Sequence, residues 1–179
     1  MRTAGAEPEN LLPLDYDVFI VDCAGYGKSS GDIETQAQLF EDMQVVYDHL
    51  KKSYKEQHII IIGYSIGTGL AAKLGAHNNS EVFVLQAPYY SMVDMMQRQY
   101  PGLPTFILDY KLAANEYLKK CIAPIYLFHG EQDEVIPVDP AHMLQKEFNL
   151  PLTVLKNQGH NGVTGYEEVI EKLRELVAF

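Results

Sequence analysis

Short apolar runs along this chain alternate with longer stretches in which apolar residues recur every three to four positions. Five runs read as buried strands, at 17–21, 59–62, 82–85, 125–128 and 152–155. Each is nearly continuous in apolar residues and rich in β-branched or aromatic side chains. Over 35–54, Leu39, Met43, Val46 and Leu50 recur at helical spacing, with Glu41, Asp42, Gln44 and Asp48 between them, which predicts an amphipathic helix. Helices are also predicted over 68–76, 141–148 and 166–177, and residues 1–14 read as loop, broken by Pro8 and Pro13. Strands alternating with helices specify a parallel sheet, here an α/β three-layer αβα sandwich of about five strands forming one domain over 1–179. In such sheets ligands sit beyond the C-terminal ends of the strands.

Residues 88–120 interrupt this alternation. Tyr89, Tyr90, Met92, Met95, Met96, Tyr100 and Phe106 gather there with Pro101 and Pro104. Such a density of Met and aromatic side chains suits an adaptable apolar surface, which reads either as a small cap or lid over a site or as ordinary packing of an inserted helix pair. On the lid reading, Tyr89, Met92 and Met96, together with Tyr64, are candidate substrate-binding residues.

Composition narrows the function classes. Twenty-four acidic against fourteen basic residues give a net charge of -10, which opposes nucleic-acid binding, where phosphate contacts need a basic face. No apolar run reaches the length of a membrane span, and the first residues carry no signal-peptide core, so the expected location is cytoplasmic. The two cysteines, Cys23 and Cys121, fall at opposite ends of a parallel sheet, too far apart to bridge, and read as reduced. Asn78-Asn79-Ser80 reads as a polar loop. No metal or cofactor is expected: there is no H-E-x-x-H and no paired Cys/His cluster. The glycine-rich stretch 22–31 matches neither phosphate-binding glycine pattern and reads as a loop leaving a strand.

The distinctive stretch is Gly63-Tyr64-Ser65-Ile66-Gly67, between the isoleucine run and a helix. A buried strand that turns sharply into a helix is what a G-x-S-x-G nucleophile elbow requires, with small residues two before and two after a strained serine. A serine nucleophile needs a base, and the base needs an orienting acid. The run ending at Phe128 leads into His129-Gly130-Glu131-Gln132-Asp133-Glu134, and the run ending at Leu155 leads into Gln158-Gly159-His160-Asn161-Gly162. Both loops fall on the same sheet edge as Ser65. Asp133 is the preferred acid, with Glu131 and Glu134 read as solvated or structural. Of the six histidines, His160 is the preferred base: His49 and His58 lie on the wrong edge, His77 and His142 read as helix residues, and His129 as structural.

Four stretches, Asp17-Val-Phe-Ile-Val-Asp-Cys-Ala-Gly-Tyr-Gly-Lys-Ser29, Gly63–Gly67, His129–Pro137 and Gly159-His160, in this order, resemble the α/β-hydrolase superfamily, in particular its small esterase- and lysophospholipase-like serine hydrolases. The resemblance implies Ser65 as nucleophile, Asp133 as acid, His160 as base and the Ile66 N–H as an oxyanion donor. It implies a hydrolase of carboxylic esters or thioesters acting on a small-molecule acyl substrate through an acyl-enzyme. An amidase or peptidase on the same triad is a further reading that no residue favours. The family places two antiparallel strands and a third strand, with its oxyanion loop, ahead of the stretch resembling Asp22 to Ser29. Too little chain precedes residue 17 to hold them. The expectation is therefore either direct pairing of 17–21 with 59–62, which would bring the loop over 23–27 toward the oxyanion site, or a homo-oligomer through the unpaired edge. The alternative to an enzyme is a weakly active or non-catalytic scaffold of this fold.

Overall fold

The computed structural model describes residues 8–177. Of the loop expected over 1–14, the first seven residues lie outside the described residues, and 3-10 turns occupy Pro8–Asn10 and Leu12–Leu14. Helix α1 (Gln36–Leu50) opens on Thr35, whose hydroxyl accepts the Gln38 N–H at 3.1 Å. That side-chain bond satisfies one of the unpaired donors of the first turn. Strand β1 (Ile60–Tyr64) runs into α2 (Gly67–Gly75), and β2 (Val82–Gln86) is followed by α3 (Met92–Gln99) and α4 (Ala114–Leu118). Strand β3 (Ile125–Gly130), α5 (Asp139–Phe148), β4 (Leu152–Leu155) and α6 (Glu167–Val177) complete the order.

The four strands form one parallel sheet in the order β1-β2-β3-β4. Successive strand residues face opposite sides, so each strand supplies two cores. Ile61, Phe83, Leu85, Ile125 and Leu127 pack against Tyr47 of α1, Ala71 and Ala72 of α2, Leu118 of α4 and Leu144 of α5. On the other face Val82, Val84, Phe128 and Leu155 pack against Val169, Ile170 and Leu173 of α6. Helix, sheet and helix therefore form the three layers that the alternation specifies, and all of β2 is buried, as a strand covered on both faces must be.

The strand expected at 17–21 does not form. Among the described residues β1 pairs only with β2, and 17–21 has no place in the sheet. Phe19, Ile20 and Val21 are 55%, 49% and 40% exposed. The segment is held instead by side chains: the Phe19 ring meets Tyr54 edge to face at 5.7 Å, and the Tyr54 hydroxyl donates to Asp17. An apolar run becomes a strand only when it is laddered to a neighbouring backbone, and 17–21 is not laddered to the outer edge of β1, which stays unpaired in the sheet. Direct pairing with β1 is thereby overturned, together with the reason for bringing the loop over 23–27 to the oxyanion site. That loop has its own closure: Asp22 accepts the Lys28 N–H at 2.9 Å, and the Ser29 hydroxyl donates to the Asp22 carbonyl at 2.8 Å.

Both cysteines are free, and burial pushes the Cys121 thiol up to about 11. Among the described residues no helix is long and apolar enough to cross a membrane.

Candidate active site

Ser65 sits at the bend between β1 and α2 with φ of +52°, a left-handed backbone that a non-glycine residue holds only when its surroundings enforce it. Its N–H donates to the Gln86 carbonyl at 2.9 Å, and its carbonyl accepts from the Thr68 N–H at 2.9 Å and the Thr68 hydroxyl at 2.7 Å. Gly63 is required by close approach: a Cβ there would lie 2.7 Å from the Ala71 Cβ and 2.9 Å from the Gly67 carbonyl. Gly67 is not, since a Cβ at that position would meet nothing within 4 Å. Only one of the two elbow glycines is thus sterically compelled.

His160 approaches from the loop after β4. Its Nε2 lies 3.0 Å from Ser65 Oγ, and its Nδ1 lies 2.7 Å from Asp133 Oδ2. An ionised carboxylate can only accept, so Nδ1 carries the proton and Nε2 presents its lone pair to the serine. The site is reached from 95 residues away in the chain for the Ser65–His160 contact and 27 for the His160–Asp133 contact. The loops abut because β3 ends in Gly130, where a Cβ would come within 2.4 Å of the Gln158 and Gly159 carbonyls.

The Asp133 side chain is fully buried. Burial pushes its carboxyl up, but hydrogen bonds from His129, the Ile136 N–H, His160 and the Val135 N–H outweigh it and hold the pKa down at about 2. The two backbone donors meet Oδ1 at 2.8 and 2.9 Å, leaving Oδ2 for the imidazole. His129, read from sequence as structural, is buried with Nε2 2.8 Å from the Ile136 carbonyl and 3.4 Å from Asp133 Oδ2. Glu131 and Glu134 are exposed, and Glu131 accepts the Asn157 N–H at 3.3 Å.

The Ile66 N–H makes no hydrogen bond among the described residues, and its side chain is exposed. It follows Ser65 directly, at the start of α2, where backbone donors favour negative charge. Of the four residues expected to bind substrate, Tyr89 and Met92 belong to one core cluster, whereas Tyr64 packs against the cluster on the other face of the sheet. Tyr89 is 1% exposed and lies beneath α2, its hydroxyl donating to the Ile66 carbonyl at 3.3 Å, so it supports the elbow from inside the core. Met92 and Met96 are half-buried on α3. Tyr64 turns toward His160, with ring centroids 5.3 Å apart.

Gln86 and Thr164 belong to no motif of the sequence. They form a buried pair in which the Thr164 hydroxyl donates to Gln86 Oε1 at 2.6 Å. A buried Gln inside an apolar strand run, at Val-Leu-Gln86, was the available signal. Among the described residues no group of three or more His, Cys, Asp or Glu is placed to hold a metal ion. A groove of about 450 Å³ lined by Cys121, Ile122, Pro124 and Phe148 includes none of Ser65, Asp133 and His160.

Comparison with known proteins bears on the family and the fold. The family model described as serine aminopeptidase, S33, matches residues 9–115. The α/β hydrolase domain-containing protein 17B of Xenopus laevis is 29% identical over 170 residues, covering 92% of this chain and 57% of that protein. Its human counterpart is 28% identical over 170 residues with the same coverage. The chain thus spans little more than half the length of these relatives. An esterase from Pyrococcus furiosus superposes with a TM-score of 0.73 at 21% identity, covering 96% of this chain and 74% of that one, a likeness of fold. The chain belongs to the serine aminopeptidase S33 family of α/β-hydrolases.

Proposed function

We propose that this protein is a serine hydrolase that cleaves carboxylic esters or thioesters through an acyl-enzyme. The observation that carries the reading is the unbroken hydrogen-bonded line Ser65 Oγ, His160 Nε2, His160 Nδ1, Asp133 Oδ2, at 3.0 and 2.7 Å. Ser65 Oγ attacks the acyl carbonyl while His160 Nε2 takes its proton, and Asp133 holds the imidazolium that results. The carbonyl oxygen becomes an oxyanion facing the Ile66 N–H. The tetrahedral centre then collapses, the bond to the leaving oxygen or sulfur breaks, and that atom takes the proton from His160. Water, deprotonated by His160, attacks the acyl-Ser65 carbonyl, and the acid leaves as Ser65 regains its proton. The segment over 88–120, with half-buried Met92 and Met96, would form the wall for the acyl group.

A second reading, a non-catalytic or weakly active scaffold, has its own support. The stretch 17–21 stands outside the sheet, and Ile66 supplies a single oxyanion donor from the elbow. Loss of one such donor costs roughly 10² to 10³ in rate.

Labelling with a fluorophosphonate probe, wild type against Ser65→Ala, separates the two. Wild type labelled and Ser65→Ala unlabelled is the expected result. A folded wild-type protein that stays unlabelled overturns the enzyme reading. A panel of an aryl ester, an aryl thioester and an aminoacyl anilide then identifies the bond, the last because the family description names peptide cleavage.

A further inference from the structure

We propose that Tyr64 and Gln86 are positioning residues that fasten the His160 loop to the nucleophile elbow, an inference that rests on the serine-hydrolase reading. The two residues are paired in register across β1 and β2, so both side chains leave the same face of the sheet at the same level. The Tyr64 hydroxyl donates to the His160 carbonyl at 2.5 Å, with Asn161 Oδ1 3.5 Å away. Gln86 Oε1 accepts from the Thr164 hydroxyl at 2.6 Å. One bond therefore holds the base residue itself and the other holds the chain four residues further on.

The same two residues also hold the nucleophile. Tyr64 precedes Ser65 in the chain, and the Gln86 carbonyl accepts the Ser65 N–H at 2.9 Å. Any displacement of the elbow is thus transmitted to the His160 loop through one rigid rung of the sheet. Between the anchors, the loop has few regular backbone bonds of its own: Gly162 stands at φ of +84° and the Gln158 amide donates to the Asn161 carbonyl. A loop of this kind holds its imidazole at hydrogen-bonding distance from Ser65 only if something outside it fixes its position, and misplacement by about 1 Å can cost on the order of 10²-fold in rate.

Gln86 is wholly buried, and its Nε2 finds no hydrogen-bond partner among the described residues. A leucine would fit a buried strand position without that unpaired donor. The amide is kept where its oxygen is the acceptor for Thr164, which is what a positioning role requires.

Thr164→Val removes the hydroxyl at constant shape, Thr164→Ser restores it, and Tyr64→Phe removes the other hydroxyl while keeping the ring beside His160. Hydrolysis of 4-nitrophenyl butyrate is followed for each, with thermal unfolding alongside. Thr164→Val and Tyr64→Phe are expected to lower kcat by about 10- to 100-fold with KM little changed, and Thr164→Ser to return most of it. Unchanged kcat in both hydroxyl deletions overturns the proposal, including when only the melting temperature falls. A raised KM at constant kcat in Tyr64→Phe also overturns it, and returns that residue to substrate binding. The low-field proton resonance of the His160 Nδ1–H gives a readout that does not need turnover. It is expected to broaden or vanish in Tyr64→Phe and to persist in wild type whether or not wild type is labelled by the fluorophosphonate. A resonance equally sharp in both overturns the positioning role without touching the enzyme reading.

Discussion

The buried imidazole of His129 lies against the carboxylate of Asp133, Nε2 to Oδ2 3.4 Å, while donating to the Ile136 carbonyl at 2.8 Å. The histidine that opens the acid loop thus closes it as well, since Ile136 is three residues beyond Asp133 and its own N–H meets Asp133 Oδ1.

His129→Leu is therefore expected to act on both stability and rate. It leaves the Ile136 carbonyl buried without its donor, at a cost of about 1 to 3 kcal/mol. It also frees the Asp133 loop to shift, lowering kcat by about tenfold or more. Chemical denaturation and ester turnover on the same preparations check the two effects separately.

The low pKa of Asp133 links stability to pH. Its folded value of about 2 lies below the ordinary carboxylate range, so ionised Asp133 stabilises the fold above about pH 4. That contribution, on the order of 2 kcal/mol, is lost as pH falls from about 4 toward 2. Urea midpoints measured down this range should fall more steeply for wild type than for Asp133→Asn. Parallel curves would show that the carboxylate is not the group responsible.

The two elbow glycines should respond differently to alanine. Gly63→Ala drives a methyl into Ala71 and the Gly67 carbonyl and is expected to destabilise by about 1 to 3 kcal/mol or more. Gly67→Ala meets open space at the start of α2 and is expected to be neutral or to stabilise by a few tenths to about 1 kcal/mol. Thermal unfolding of the two variants tests the contrast directly.

Apolar residues at 17–21 and in β2 look alike in sequence but not in the fold. Ile20→Thr, at a half-exposed position outside the sheet, is expected to change stability by no more than about 0.5 kcal/mol. Leu85→Ala, at a position with no exposure, is expected to cost about 2 to 5 kcal/mol. Equal costs would mean that 17–21 packs as a strand.

Much of this protein was determined by its sequence alone. Apolar runs bounded by turn residues located β1 to β4 within a residue or two of their observed ends, because a strand covered on both faces must be apolar throughout. The order of Ser65, Asp133 and His160 behind three such runs placed all three at one sheet edge, since parallel strands end on the same side. What tertiary structure alone decided is what depends on a partner distant in the chain. Residues 17–21 carry strand propensity, but a strand exists only when paired, and this run is held by Tyr54 rather than laddered to the open edge of β1. Tyr64 and Tyr89 are both aromatic residues near the elbow in sequence or space. Only packing sent one hydroxyl to the His160 carbonyl and buried the other beneath Ile66. The Gln86–Thr164 bond joins residues 78 positions apart. Periodicity reports which face of an element is apolar, not what a lone polar atom on that face will meet when the chain closes.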